Sequence, residues 1–170
     1  MSVVIGIDPG KKGGCVALDE SGRVVDFIAA DHPDEGYVCG KDYLPAGMSD
    51  WLKDVSDQDE VLLVIIEKQQ ARPMEGRSST LTTGYGYGLW VGGVSALSLP
   101  YSVVSAGRWT KAITGASKKD DRKALSIAHC QARLPTLPLT WGRRKKPHDG
   151  LADAGCLALY ALTLIGAGMQ

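Results

Sequence analysis

SVVIGIDPGKKGGCVALDESGRVVDFIAA, residues 2–30, is the stretch whose reading decides the fold. Ser2 to Asp8, Gly14 to Asp19 and Arg23 to Ala30 are rich in Val, Ile and Leu and are joined by the Gly-containing turns KKGG and ESG. That pattern predicts three successive strands in an antiparallel meander. Asp8 stands where the first strand leaves the sheet. Alone, an Asp before Pro9-Gly10 is ordinary turn chemistry, so its meaning depends on the company it keeps.

The company is acidic. VLLVIIEKQQ, residues 61–70, predicts a fourth strand over Val61 to Glu67, and a lone acid ending six apolar residues is an unusual surface choice. In HDGLADA, residues 148–154, Asp149 and Asp153 are four apart. That spacing puts both on one face of a helix, one turn from each other, at the start of a segment apolar almost all round. Asp149 alone could merely complement a helix dipole. Four converging acids without matching cations would resist ionising, and a hard divalent cation resolves the conflict. The set therefore predicts magnesium, with manganese as a substitute. Two ions roughly 3.5–4 Å apart could hold both the attacking and the leaving oxygen of a phosphodiester.

The rest of the chain is assigned more coarsely. Residues 31–47 read as an irregular surface loop, a short helix is expected over residues 49–55, and a polar loop spans Lys68 to Ser79. TLTTGYGYGLWVGGVSALSL, residues 80–99, is assigned to a helix in which Gly84, Gly88 and Gly92 form a smooth stripe. Each glycine costs about 1 kcal/mol against Ala, so the stripe predicts a backbone in close approach, either the sheet of the same chain or a second subunit. A fifth strand over Tyr101 to Ser105, helices over residues 108–113 and 119–133, a connection through Pro135 and Pro138, and a last helix from about His148 complete the pattern. The expected fold class is α/β: a five-stranded mixed sheet, three antiparallel strands and then two more, flanked by helices in a single domain over residues 1–170.

Composition narrows the function. With 44% hydrophobic residues the chain can bury a substantial core. Its net charge of zero conceals a division: residues 1–67 hold 5 Lys/Arg against 14 Asp/Glu, and residues 68–170 hold 14 against 5. The basic half, with KKDDRK and GRRKK, can supply phosphate contacts and makes nucleic acid a credible partner. Cys15, Cys39, Cys130 and Cys156 show neither zinc spacing nor a disulfide framework and read as intracellular thiols, mostly core. No export or targeting segment is expected. The uncharged stretch 154–170 is shorter than the ~20 apolar residues of a membrane span, so a buried core helix and no membrane association are expected. No Ser/His/Asp or Cys/His arrangement suggests covalent catalysis, and no small-molecule cofactor is called for.

IGIDPG, the acid of VIIEKQQ, and HDGLADA occur in the order of, and resemble, the RuvC-type Holliday-junction resolvases of the ribonuclease H-like superfamily. STLTTGYGYGLWVGG, the Trp109 segment, SKKDDRKA and RKKPHDGLADA are similar to the chloroplast resolvase subgroup named for the monokaryotic chloroplast phenotype, and to its bacterial and phage-borne relatives. The resemblance implies a ribonuclease H-like fold and a homodimeric endonuclease that nicks two opposing strands of a four-way DNA junction symmetrically, leaving ligatable 5′-phosphate ends. It implies Asp8, Glu67, Asp149 and Asp153 as metal ligands; the chloroplast branch tends to have His where this chain has Asp149. His148 is left open between a part near the scissile phosphate, metal binding and an incidental place at the helix start, and Lys118 or Lys119 would neutralise that phosphate. Relatives tend to read Trp-Lys where Thr110 here separates Trp109 from Lys111, another DNA-binding candidate. Arg143, Arg144, Lys145 and Lys146 are expected to track a junction arm, joined by Arg122, and the Lys68 to Ser79 loop, with Lys68, Arg72 and Arg77, to reach the junction centre. The expected setting is the cytoplasm of a bacterial or phage-infected cell.

Rival readings are a ribonuclease H-like nuclease on RNA/DNA hybrid or structured RNA, and a junction-binding protein without turnover. An actin-like phosphotransferase, suggested by DPGKKGG, needs two such domains, which 170 residues cannot hold.

Overall fold

The computed structural model describes residues 1–34, 36–70, 74, 76–117 and 119–168. Strands β1 (Ser2–Asp8), β2 (Gly14–Asp19) and β3 (Val24–Ala29) form the antiparallel meander. A two-stranded ribbon, β4 (Val38–Cys39) and β5 (Asp42–Tyr43), lies within the stretch expected to be irregular. Helix α1 (Pro45–Gln58) is twice the length expected. Proline at its first turn lacks only an N–H that has no helical partner there, and Met48, Trp51, Leu52 and Val55 recur along one buried face.

Strand β6 (Glu60–Glu67), helix α2 (Arg77–Ala96), strand β7 (Tyr101–Val104) and helices α3 (Ala106–Thr114), α4 (Arg122–Arg133) and α5 (Asp149–Gly168) follow. The main sheet runs β3-β2-β1-β6-β7, with β6 parallel to β1 and β7 parallel to β6. This is the expected mixed five-stranded α/β architecture.

Period-two alternation divides the sheet into two faces. Val3, Ile5, Ile7, Val64 and Ile66 pack under α1 and α2 with Trp51, Leu52 and Trp90. Val4, Val16, Leu18 and Ile65 pack against Trp109 and the buried side of α5. Asp8 and Glu67 share the parity of Val4 and Ile65, so both carboxylates turn toward α5. Helix α5 is long and apolar enough to cross a membrane by composition, but most of it is buried inside the protein. Its backbone lies directly on β1: a Cβ at Gly6 would stand 2.2 Å from the Ala154 carbonyl oxygen, so only glycine admits this approach.

The stripe on α2 has a different outcome. A Cβ at Gly84, Gly88 or Gly92 would meet nothing within 4 Å, so the sheet of the same chain is not the close partner. The α2 glycine pressed hardest against its own chain is Gly86, whose Cβ would stand 2.2 Å from the Tyr43 ring, while a Cβ at Gly93 would stand 3.2 Å from Leu52.

Candidate active site

Parallel pairing of Ile7 with Ile66 brings Asp8 and Glu67 to the same level at the ends of adjacent central strands. The packing of α5 on β1 then carries Asp153 and Asp149 to that edge. The four predicted acids belong to one electrostatic cluster. Burial, followed by the charges of Glu67, Asp153 and Asp149, holds the Asp8 pKa well above the ordinary carboxyl range, and the Gly10 N–H offsets this only in part. Asp153 is pushed up to about 7, by burial first, with Glu67 and Asp149 adding to it and the Ser126 hydroxyl and Lys123 opposing. For Asp149, burial is outweighed by the hydrogen bond and charge of Lys123, and its pKa falls.

Three neighbours organise these acids. The Trp109 indole N–H donates to Glu67 Oε2 at 2.7 Å, fixing that carboxylate from α3. The Lys123 ammonium donates to Asp149 from the first turn of α4. The Tyr37 hydroxyl donates to the Gly10 carbonyl at 2.9 Å and so holds the Asp8-Pro9-Gly10 turn from beneath.

The donor chemistry fits a hard divalent cation: mutually repelling carboxylate oxygens in a partly buried pocket. Among the described residues, no group of three His, Cys, Asp or Glu is assembled to hold one, and Lys123 occupies Asp149.

The basic residues expected to bind DNA divide by location. Arg144 and Lys146 line a cleft of about 740 Å³ that opens beside Asp149, together with Lys12 and Lys123, for which no DNA contact was expected. Lys111 and Arg122 line a second, of about 520 Å³, between α3 and α4. Lys68, Arg77, Lys119, Arg143 and Lys145 are exposed. Arg144 is committed to an ion pair with Asp31 and packs on the Trp141 ring at 4.9 Å. Arg72 and Lys118 lie outside the described residues.

His148 is buried. Its Nδ1 accepts the Leu151 backbone N–H at 2.8 Å and its Nε2 meets Asp31 Oδ1 at 3.0 Å, so both ring nitrogens are engaged within the protein and neither is free to bind metal or exchange a proton with a substrate in this arrangement.

The contact between Lys123 and Asp149 and the bond from Trp109 to Glu67 were not anticipated. One signal for the first is legible: Arg122 and Lys123 occupy the first turn of a helix, where the dipole disfavours cations. Basic residues placed there against the dipole point to a local anionic partner.

No family model matches the sequence, and no curated protein matches it at a significant level. Solved structures do match in fold. Thermus thermophilus RuvC superposes with a TM-score of 0.64 at 19% identity, over 97% of this chain and 96% of that one. T. thermophilus RuvC in complex with a Holliday junction substrate gives 0.63 at 16%, over 99% and 96%. The yeast mitochondrial Holliday junction resolvase gives 0.60 at 14%, over 95% and 78%. The chain thus has the ribonuclease H-like fold of the RuvC-type resolvases along nearly its whole length.

Proposed function

We propose that this protein is a divalent-metal-dependent endodeoxyribonuclease that resolves four-way DNA junctions by paired symmetric nicks, with residues 1–170 acting as one nuclease domain. The observation that carries the reading is the gathering of Asp8, Glu67, Asp149 and Asp153 at one sheet edge, in a fold shared with a RuvC solved on a Holliday junction.

Asp8, Glu67, Asp149 and Asp153 would hold magnesium, two ions per site, or manganese in its place. Bound there, the ions supply Lewis acidity that activates the attacking water and stabilises the departing 3′ oxygen. Trp109 presets the orientation of Glu67. Lys123 partly neutralises the cluster and, with Lys12 and Lys146 across the same cleft, offers cations to a phosphodiester. Lys111 and Arg122, and the exposed Arg143 and Lys145, extend the positive surface away from the acids. The other expected DNA contacts, Lys68, Arg72, Arg77, Lys118 and Lys119, keep their proposed roles along the strand.

Junction preference follows from shape, because phosphate contacts set register without reading sequence. A twofold dimer would match the symmetry of a junction and place two sites on opposing strands. The uncovered glycine stripe of α2 supports such a dimer by offering a helix face to a second copy. The cytoplasm of a bacterial or phage-infected cell is the proposed setting.

The test is a cleavage panel in magnesium with four-way junction, linear duplex, RNA/DNA hybrid and structured RNA. Symmetric nicks confined to the junction are expected. Preferential cutting of hybrid or RNA, or tight junction binding without nicks, would replace this reading with one of its rivals.

A further inference from the structure

We propose that Asp31 and His148 form a positioning pair that sets the start of the catalytic helix, and that His148 acts through the backbone of α5 with no direct part in metal binding or proton transfer. The inference rests on the proposed nuclease site only in taking Asp149 and Asp153 as the ligands being positioned.

Three observations converge. His148 occupies the N-cap of α5: its carbonyl accepts the Ala152 N–H at 3.1 Å, and its Nδ1 accepts the Leu151 N–H. Caps of this geometry are usually Ser, Thr, Asp or Asn, whose side-chain oxygen accepts from the second or third helical N–H. A ring nitrogen can do so only when it carries no proton. The proton must then sit on Nε2, where Asp31 Oδ1 receives it at 3.0 Å. Asp31 thus selects the tautomer that makes the cap possible.

The surroundings fix the pair. The His148 ring stacks on Trp141 with centroids 5.1 Å apart, and its backbone N–H donates to the Leu139 carbonyl at 2.7 Å. The second Asp31 oxygen pairs with Arg144, which itself lies on Trp141. One carboxylate, 117 positions upstream, therefore joins the cap of the catalytic helix to the basic segment that precedes it. Asp149 is the next residue, and Asp153 lies one turn further on.

The experiment compares His148→Asn, His148→Ala, Asp31→Ala and Asp31→Ala/His148→Asn by Mn²⁺ calorimetry and junction kinetics, alongside ¹⁵N NMR of the wild-type imidazole. The NMR is expected to show a neutral ring protonated at Nε2; protonation at Nδ1 would overturn the proposal without any variant. Asn supplies a capping oxygen, so His148→Asn should keep Mn²⁺ affinity within about threefold, while His148→Ala should lose about 10–100-fold, as displaced outer-shell supports do. Asp31→Ala should weaken Mn²⁺ binding in wild type and have no further effect in the His148→Asn background. His148→Asn failing as badly as His148→Ala, or Asp31→Ala acting equally in both backgrounds, would refute it. If the protein cut no junction at all, the imidazole tautomer and Mn²⁺ affinities would still decide this question separately.

Discussion

Replacing Asp153 by Asn should stabilise the metal-free protein at alkaline pH while removing its response to manganese. The Asp153 carboxyl is held at about 7 against an ordinary 3.8, chiefly by burial. A folded-state pKa raised above the unfolded one means that the folded chain holds the proton more tightly. Stability is therefore untouched below about pH 4, falls as the pH rises toward 7, and carries the whole penalty at pH 8. Three units at 1.36 kcal/mol each come to about 4 kcal/mol, and residual solvent contact brings the expectation to roughly 2–4 kcal/mol. For a chain of this size that is roughly 5–15 °C in melting temperature. The assay is differential calorimetry of wild type and Asp153→Asn in EDTA from pH 4.5 to 8, repeated with Mn²⁺. The gap between the two should open with rising pH and close when manganese stabilises wild type alone. A variant no more stable than wild type at pH 8, or a gap that does not change with pH, would refute the electrostatic argument.

Trp109→Phe keeps the ring but leaves Glu67 Oε2 without its 2.7 Å donor; kcat on junctions should fall roughly 10–100-fold, as it does when an outer partner of a metal ligand is lost, with KM little changed in steady-state kinetics. Lys123→Met should change unfolding free energy by under about 1 kcal/mol, since the pair with Asp149 is largely exposed on the lysine side, yet it should weaken junction cleavage at least tenfold in a nicking assay. Gly88→Ala fills open space and should add about 1 kcal/mol of helix stability, while in sedimentation experiments it should shift a dimer built on this face toward monomer.

Much of the architecture was legible because it rests on local periodicity. The meander of β1 to β3 follows from alternating apolar residues and glycine turns, and the acids ending β1 and β6 follow from where those runs stop. Asp149 and Asp153 are legible from a helical interval of four. The errors arose where tertiary packing supplies what no local pattern shows. The β4–β5 ribbon is two residues per strand and is held by Tyr37 and Tyr43 stacking on each other. Helix α1 extends beyond its expected ends because its buried stripe begins at Met48, one turn after a permissive proline. The glycine stripe carried two expectations, and open space along it removes the intrachain one.

The candidate site shows the same division. Its acids were visible, but their partners were not, since Trp109 lies 42 positions from Glu67 and Lys123 lies 26 from Asp149. Lys118 and Lys119 are legible as basic residues ahead of a helix, yet among the described residues it is the Lys123 ammonium that reaches Asp149. The sequence leaves His148 open between a chemical participant and an incidental helix-start residue. Its burial and its bond to Asp31 are long-range facts, and Asp31 has no distinguishing motif; only the cap bond from Leu151 is local.

The central claim is that the carboxylates at the ends of β1, β6 and the start of α5 perform phosphodiester cleavage on branched DNA. The direct measurement is mapping of nicks on a mobile four-way junction in magnesium, with wild type and Asp8→Asn at matched junction occupancy. The account predicts paired nicks at symmetric positions for wild type, and unchanged binding with no cleavage for Asp8→Asn. Cleavage that survives Asp8→Asn would contradict it.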